Sequence, residues 1–328
     1  MRELADEWSV MGNQRSLLYL MVFALSGMHP GARLAEAGSN SDQIPEVTVI
    51  APRPPTPQEL AGKAVPDFLR THAAPAMITG QLARWNVGIC PLTSGLTLAF
   101  NDFVSARLLA IAASVGAPTE FRGGCRHDGK HDVFIIFSSD PSKTLEDVVR
   151  QDPRVLGAHY PTQTQALERV GHPIQGWYAT ATRGAHGDIT VDEVEPLLPT
   201  DGTGNQLQAG KHPAGLPGSR LGSSVHSDIY NALIVVDTKK IVGRSIGSIA
   251  DYLAVLTLTM ASAPERCGTL PSILDMMLPE CGDSKELSGV TAGDLAFLRA
   301  LYKADLEVTL PLERSGMESS MKGQFAGH

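Results

Sequence analysis

The sequence predicts a single α+β domain with a mixed sheet packed by helices, and three observations carry that expectation. Strand-like runs and helix-like periodicities are interspersed along residues 81–313 without the strict βαβ rhythm of a doubly wound sheet. Hydrophobic residues make up 43% of the chain and charged residues 19%, enough to bury a core and too apolar for a disordered protein. Both ends of the 328-residue chain read as something other than domain. Setting them aside brings a length that would suit two domains down to one of about 230–240 residues. The expected divisions are a signal peptide at 1–37, a Pro-rich arm or linker at 38–80, the α+β domain at 81–313 and a tail at 314–328.

The N-terminal assignment rests on a short apolar run. Arg15 precedes Ser16-Leu17-Leu18-Tyr19-Leu20-Met21-Val22-Phe23-Ala24-Leu25, which falls short of the ~20 apolar residues of a membrane-spanning helix. Ala35-Glu36-Ala37 then fits the small-residue cleavage pattern of a secretory signal. The first ten residues are acidic, so Met11 offers a second start, with Met11-Gly12-Asn13-Gln14-Arg15 as a conventional positive leader. No other segment is expected to span a membrane, so the mature chain, from about Gly38, is expected in the periplasm or secreted. In the arm that follows, Glu46-Val47-Thr48-Val49-Ile50-Ala51-Pro52-Arg53 is a β-prone stretch. It resembles the TonB-box type of segment, and also suits an edge strand or free arm of this domain.

Within the domain, Trp85–Cys90 reads as a strand. Phe103, Val104, Leu108, Ile111, Ala112 and Val115 fall at helical spacing in a helix over about 99–115. Val133–Phe137 is a fully apolar strand. Asp140-Pro141 provides an N-cap and a first-turn proline for a helix to about Arg150. A short helix is expected at 163–170 and a strand at 177–182. Arg183 to Ser224 is rich in Gly and Pro, and a loop of that length is functional or disordered. Tyr230–Asp237 returns as a strand, Gly247–Ala261 as an apolar helix and Ser272–Leu278 as a shorter one. Thr291 and Asp294 suggest a capping box for a last helix to about Ala304.

Composition limits the function. Lys and Arg number 27 against 35 Asp and Glu, a formal charge of −8, and a general nucleic-acid binder needs a basic face. The four cysteines, Cys90, Cys125, Cys267 and Cys281, have no CxxC spacing, which argues against a zinc ribbon or thioredoxin motif. For an exported chain they read as disulfides. Three pairings are possible, and loop-closure entropy favours Cys90–Cys125 with Cys267–Cys281.

The sharpest catalytic motif is Gly243-Arg244-Ser245-Ile246-Gly247, a G-x-S-x-G between a strand and a helix that would make Ser245 a nucleophile. Asp275 or Asp294 follows as a possible acid, but the only later histidine is His328, so the order of the triad fails. Ser245 or Ser248 as a helix cap is the competing reading. There is no HExxH, and His127/His131 lie in a turn without a specific ligand spacing. Gly202-Thr203-Gly204 neither follows a strand nor opens a helix, so no phosphate cradle is expected. His226-Ser227-Asp228 and His186-Gly187-Asp188 border the long loop and, with His159-Tyr160, form a candidate dispersed site. Asp251, in an apolar helix, either joins that site or lies on the solvent face or first turn. No metal or cofactor is expected.

Several segments together resemble a family of exported proteobacterial proteins that carries no established activity. They are Arg84-Trp85, the Phe103-centred helix, Val133–Phe137, Gly157-Ala158-His159-Tyr160, Pro173–Tyr178, Ile246–Tyr252, Leu270–Asp275 and Asp294–Tyr302, covering about residues 45–315. A more distant likeness is to zincin-type metallopeptidases. In those a metal-binding helix is followed by a Ser-Ile-x-Asp-like segment and a Thr-x-x-Asp-x-x-x-Leu-x-x-Leu-Tyr helix. Ser272-Ile273-Leu274-Asp275 and Thr291–Tyr302 hold the last two places. The helix at 247–261 would hold the first, and it has neither His nor Glu. The resemblance implies a zincin-like scaffold without catalytic equipment. The expected function is therefore a non-catalytic binding or scaffolding module of the cell envelope, contacting an envelope protein or a small ligand near the 183–224 loop. The alternative is a hydrolase, using Ser245 or a divergent metal site drawn from His159, His226, Asp228 and Asp251.

Overall fold

The structure is a computed structural model. It describes residues 64–120, 125, 131–184, 187–192, 223, 225–261, 267–278, 280–281 and 287–326. The signal segment, the β-prone stretch at 46–53, His127, His186, the Gly202–Gly204 turn and His328 lie outside the described residues.

A five-stranded mixed sheet organises the domain. In chain order the strands are β1 (Pro91–Ser94), β2 (Val133–Ser138), β3 (Ile174–Gly184), β4 (Ile189–Val191) and β5 (Val225–Asp237), and across the sheet they run β1-β2-β5-β3-β4. β1, β2 and β5 are parallel, whereas β3 runs antiparallel to both β5 and β4. This is the expected α+β class. β5 lies at the centre with both faces covered, which is why Ala232–Val236 is an unbroken apolar run. Among the described residues the seven helices are α1 (Val65–His72), α2 (Leu98–Val115), α3 (Pro141–Gln151), α4 (Thr164–Leu167), α5 (Ile246–Thr259), α6 (Ala292–Lys303) and α7 (Leu310–Ala326), with 3-10 turns at Pro153–Leu156, Pro161–Gln163 and Ile273–Met277.

Alternation along the strands sorts these elements into layers. Val133, Ile135, Phe137, Ile229, Ile234 and Val236 point to the face covered by α2 and α5. Phe134, Ile136, Trp177, Leu233 and Val235 point to the opposite face, where Leu145 of α3 and Leu156 pack. A third cluster joins α1, α6 and α7 through Phe68, Phe297, Leu301, Met317 and Met321. Indole and phenol groups stitch the layers to backbone. Trp85 Nε1 donates to Thr257 O at 2.9 Å, Tyr178 Oη to Leu256 O at 2.7 Å, and Trp177 Nε1 to Leu167 O at 2.8 Å.

Caps end the helices where their residues dictate. Asp140 accepts from the Lys143 amide, and Thr291 and Asp294 form a capping box on α6. Gly116, at φ +82°, closes α2 in the left-handed conformation that glycine tolerates. Against the expectation that no segment beyond the leader approaches membrane-spanning length, α2 is, among the described helices, the one long and apolar enough to cross a membrane by length and composition. It carries Asp102 and Arg107, and it buries Val104, Leu108, Ile111, Ala112 and Val115 in the same cluster as α5 and the sheet. One face of it packs into the core, while Leu98 and Phe100 are exposed.

Other boundaries move too. The expected arm at 38–80 ends in α1, whose Val65, Phe68, Leu69 and His72 are buried, so its last residues belong to the domain. The expected tail at 314–328 is mostly α7, held by buried Met317 and Met321 and by Arg314 Nη2 donating to Ala73 O at 3.1 Å. Trp85–Cys90 is not a strand: an isolated bridge, Arg84 to Asp228, lies just before it, and the ladder starts at Pro91. β3 and β5 extend beyond their apolar centres through Thr180, Thr182 and Ser227, which alternation could not reach. The long loop contains the short strand β4. Cys90 pairs with Cys125 at a Cα separation of 5.4 Å, and Cys267 with Cys281 at 5.6 Å. Two such pairs are compatible with an exported, disulfide-bonded protein in an oxidising environment.

Candidate functional site

The described residues draw together one part of the expected dispersed site. At the end of the sheet where β5 begins and β3 finishes, Arg183 faces His226 in register, and Asp228 lies two residues further along β5. Asp228 Oδ2 accepts from Arg183 Nε at 2.8 Å and lies 2.6 Å from Arg183 Nη2. Asp228 Oδ1 accepts from Asn86 Nδ2 and lies 3.4 Å from His226 Nε2. Period-two alternation explains why His226 and Asp228 share a face while Ser227 turns away, its hydroxyl 2.6 Å from that of Thr79. Burial pulls His226 below its ordinary imidazole value, with Arg183 and Arg84 acting in the same sense against Asp228. His226 is therefore neutral near pH 7, and the cluster presents one fixed ion pair, an amide and a neutral imidazole.

Asn86 also lines an adjoining pocket of about 230 Å³, with Arg84, Trp85, Gly116, Pro118, Tyr302, Ala304 and Leu306. The strand-like segment at 84–86 is docked there by backbone bonds: Arg84 N–H donates to Ser227 O, and Ile229 N–H to Arg84 O. Arg84 is nearly fully buried. It donates to Leu301 O and sits 3.9 Å from Glu313 Oε1, while Glu313 accepts from the Leu82 amide. This side chain ties α6 and α7 to the segment behind the pocket. Asn86 and Arg183 were missed by sequence reasoning. Their only signal was proximity to a His-x-Asp whose register was unknown.

The remaining candidates are held elsewhere. His159 uses both ring nitrogens locally: Nδ1 lies 2.7 Å from Gly157 O and Nε2 lies 3.0 Å from Thr164 Oγ1. Its neighbour Gly157 packs so tightly on Tyr178 O that a side chain there would collide, and at φ +72° it needs glycine's freedom. His159 is thus set by the turns and α4, which cover the sheet face opposite α5. Asp251 is on α5, so the sheet separates the two, and the dispersed set does not converge. Nor is Asp251 on the solvent face. It is 1% exposed, accepts from Arg107 Nε, from Arg107 Nη2 at 3.0 Å and from the Val290 amide at 3.1 Å. A buried carboxylate requires such partners, and here it binds α2, α5 and the approach to α6 together.

Ser245 is the N-cap of α5, accepting from the Ser248 amide at 3.0 Å, and Ser248 donates to Ser288 O at 3.1 Å. Asp294 accepts from Ser272 Oγ at 2.6 Å and from the amides of Ile273 and Thr291 at 2.9 Å each, so it secures the turn and α6 rather than Ser245. Among the described residues no three His, Cys, Asp or Glu side chains gather into a set that could hold a metal ion. No protein-family model matches the chain, and neither a curated protein nor a solved structure matches it.

Proposed function

We propose that this chain is an exported binding or scaffolding module without catalytic activity of its own, on a zincin-like layout. The apolar run at 16–25, the Ala35-Glu36-Ala37 site and the two disulfides support export to the periplasm or beyond. The succession of β5, α5, the 273–277 turn and α6, with no His or Glu in α5, supports a scaffold of that type without its metal ligands. Its contact face is the Arg183–His226–Asp228–Asn86 cluster with the pocket beside it, and its ligand is an envelope protein or a small polar molecule. One observation carries the reading. Ser245, His159 and Asp251 are each committed to caps and cross-ties, while Arg183, a quarter exposed, and His226 stay within reach of solvent.

The test is a thermal-shift screen of envelope metabolites and envelope fractions against the full mature chain. A ligand at one hundred times its dissociation constant adds about 2.7 kcal/mol, a shift of several degrees. The expected result is a ligand that raises the melting temperature of the wild type but not of His226→Ala, whose own melting temperature stays close to the wild type. A ligand whose shift survives both His226→Ala and Arg183→Ala places the contact face elsewhere.

A further inference from the structure

Beneath α1, away from the binding face, two buried polar atoms confront each other without partners. His72 Nε2 and Asp275 Oδ1 are 3.9 Å apart, each side chain is 1% exposed, and neither atom has a hydrogen bond. The tautomer of His72 is fixed by its other nitrogen. Nδ1 lies 3.0 Å from Phe68 O, a carbonyl that can only accept, so Nδ1 carries the hydrogen. In the neutral ring Nε2 is then a lone pair. If Asp275 were ionised, two acceptors would face each other in a space closed to water, an arrangement that burial penalises heavily. A single proton on either atom turns the confrontation into a donor–acceptor pair, and a closure of about 1 Å makes it a hydrogen bond.

We propose that His72 and Asp275 form a proton-dependent clasp that fastens α1 to the 273–277 turn while one proton is held between them, and that losing this proton loosens α1. The groups facing the pair are Asp67 on α1, Asp294 on α6 and Tyr252 on α5. Neither His72 Nε2 nor Asp275 Oδ1 is hydrogen-bonded to any of them. Asp294 is occupied by Ser272, Ile273 and Thr291, and Asp67 is held by Arg70 Nη2 at 3.2 Å. Asp275 Oδ2 is already engaged by the Ser272 amide at 3.0 Å, which leaves Oδ1 as the atom that answers to His72. Burial pushes Asp275 up to about 7, with Asp294 adding repulsion, and burial pulls His72 down. A raised carboxyl group stabilises the native state below its unfolded value, and that contribution is lost as pH rises through about 7. The clasp therefore holds in mildly acidic medium and releases in mildly alkaline medium.

The experiment is amide hydrogen exchange of the full mature chain, read as protection factors for residues 67–72 at about pH 6 and about pH 8.5 so that intrinsic base catalysis is divided out. The wild type is expected to lose about tenfold protection in α1 at the higher pH, with α5 amides little changed. Asp275→Asn offers a permanent amide donor to Nε2 and is expected to keep α1 protected at both values. As a second measurement in the wild type, the His72 ring nitrogens followed by NMR are expected to report a transition near neutrality, with Nδ1 protonated throughout. Equal α1 protection at both pH values in the wild type overturns the clasp. So does an Asp275→Asn variant that loses α1 protection as the wild type does, or a His72 ring with Nε2 rather than Nδ1 protonated at alkaline pH.

Discussion

Asp251 and Ser245 show how a residue type that carries chemistry in one protein holds structure in another. Asp251 meets Arg107 through both guanidinium nitrogens that face it, with Arg107 13% and Asp251 2% exposed along the side chain. Removing one partner of such a pair leaves an uncompensated buried charge, at a cost of about 3–5 kcal/mol. Arg107→Ala is therefore expected to lower stability by that amount in urea denaturation. Arg107→Ala with Asp251→Ala should recover part of the loss, and a double variant no more stable than either single one would show that the pair is not the source. Ser245→Ala is expected to cost about 1 kcal/mol, the worth of an N-cap. A loss within error would mean that the cap bond at 3.0 Å contributes nothing. The motif around Ser245 places its hydroxyl at the start of α5. Pattern does not encode whether a histidine arrives, and here the hydroxyl accepts from its own helix.

At the scale of elements, the ends of the chain changed most. α7 covers the third cluster, and Met317 and Met321 are fully buried against α1 and α6. Each Met→Ala change there is expected to cost about 2–5 kcal/mol, measured as a fall in urea midpoint, and a chain ending at 309 should expose the cluster and bind a hydrophobic dye. Neutral behaviour in both would mean that α7 is peripheral. The sequence concealed this helix because Gly316, Gly323 and three serines dilute its apolar pattern to two buried methionines spaced one turn apart. By contrast, β2, α2, α3, α5 and α6 were legible to within a residue or two. Each combines a long periodic or unbroken apolar run with a recognisable cap. The site was half legible. His226-x-Asp228 could be read from the chain, but Asn86 and Arg183 reach Asp228 across 142 and 45 positions, separations that no local pattern contains.

For the whole molecule, buried carboxyl groups set the pH response. Burial raises Asp132 to about 6 and Asp275 to about 7, and pushes Asp294 and Glu313 upward as well. Each holds its proton more tightly in the folded state, so stability is lost as pH rises through these values. Buried His72 and half-buried His131 and His226 are lowered instead, and their contribution is lost as pH falls below the ordinary imidazole value of about 6.5. The melting temperature is therefore expected to fall between about pH 6 and about pH 8.5. A curve that rises over that interval would contradict the burial of these acids. The central proposal is that the catalytic candidates serve the fold and that the β3–β5 end is the contact face. The direct measurement is labelling of the purified chain with a fluorophosphonate, together with its metal content after dialysis. The account predicts no label above the level of Ser245→Ala and no stoichiometric metal. Labelling that disappears in Ser245→Ala, or one equivalent of retained metal, would contradict it.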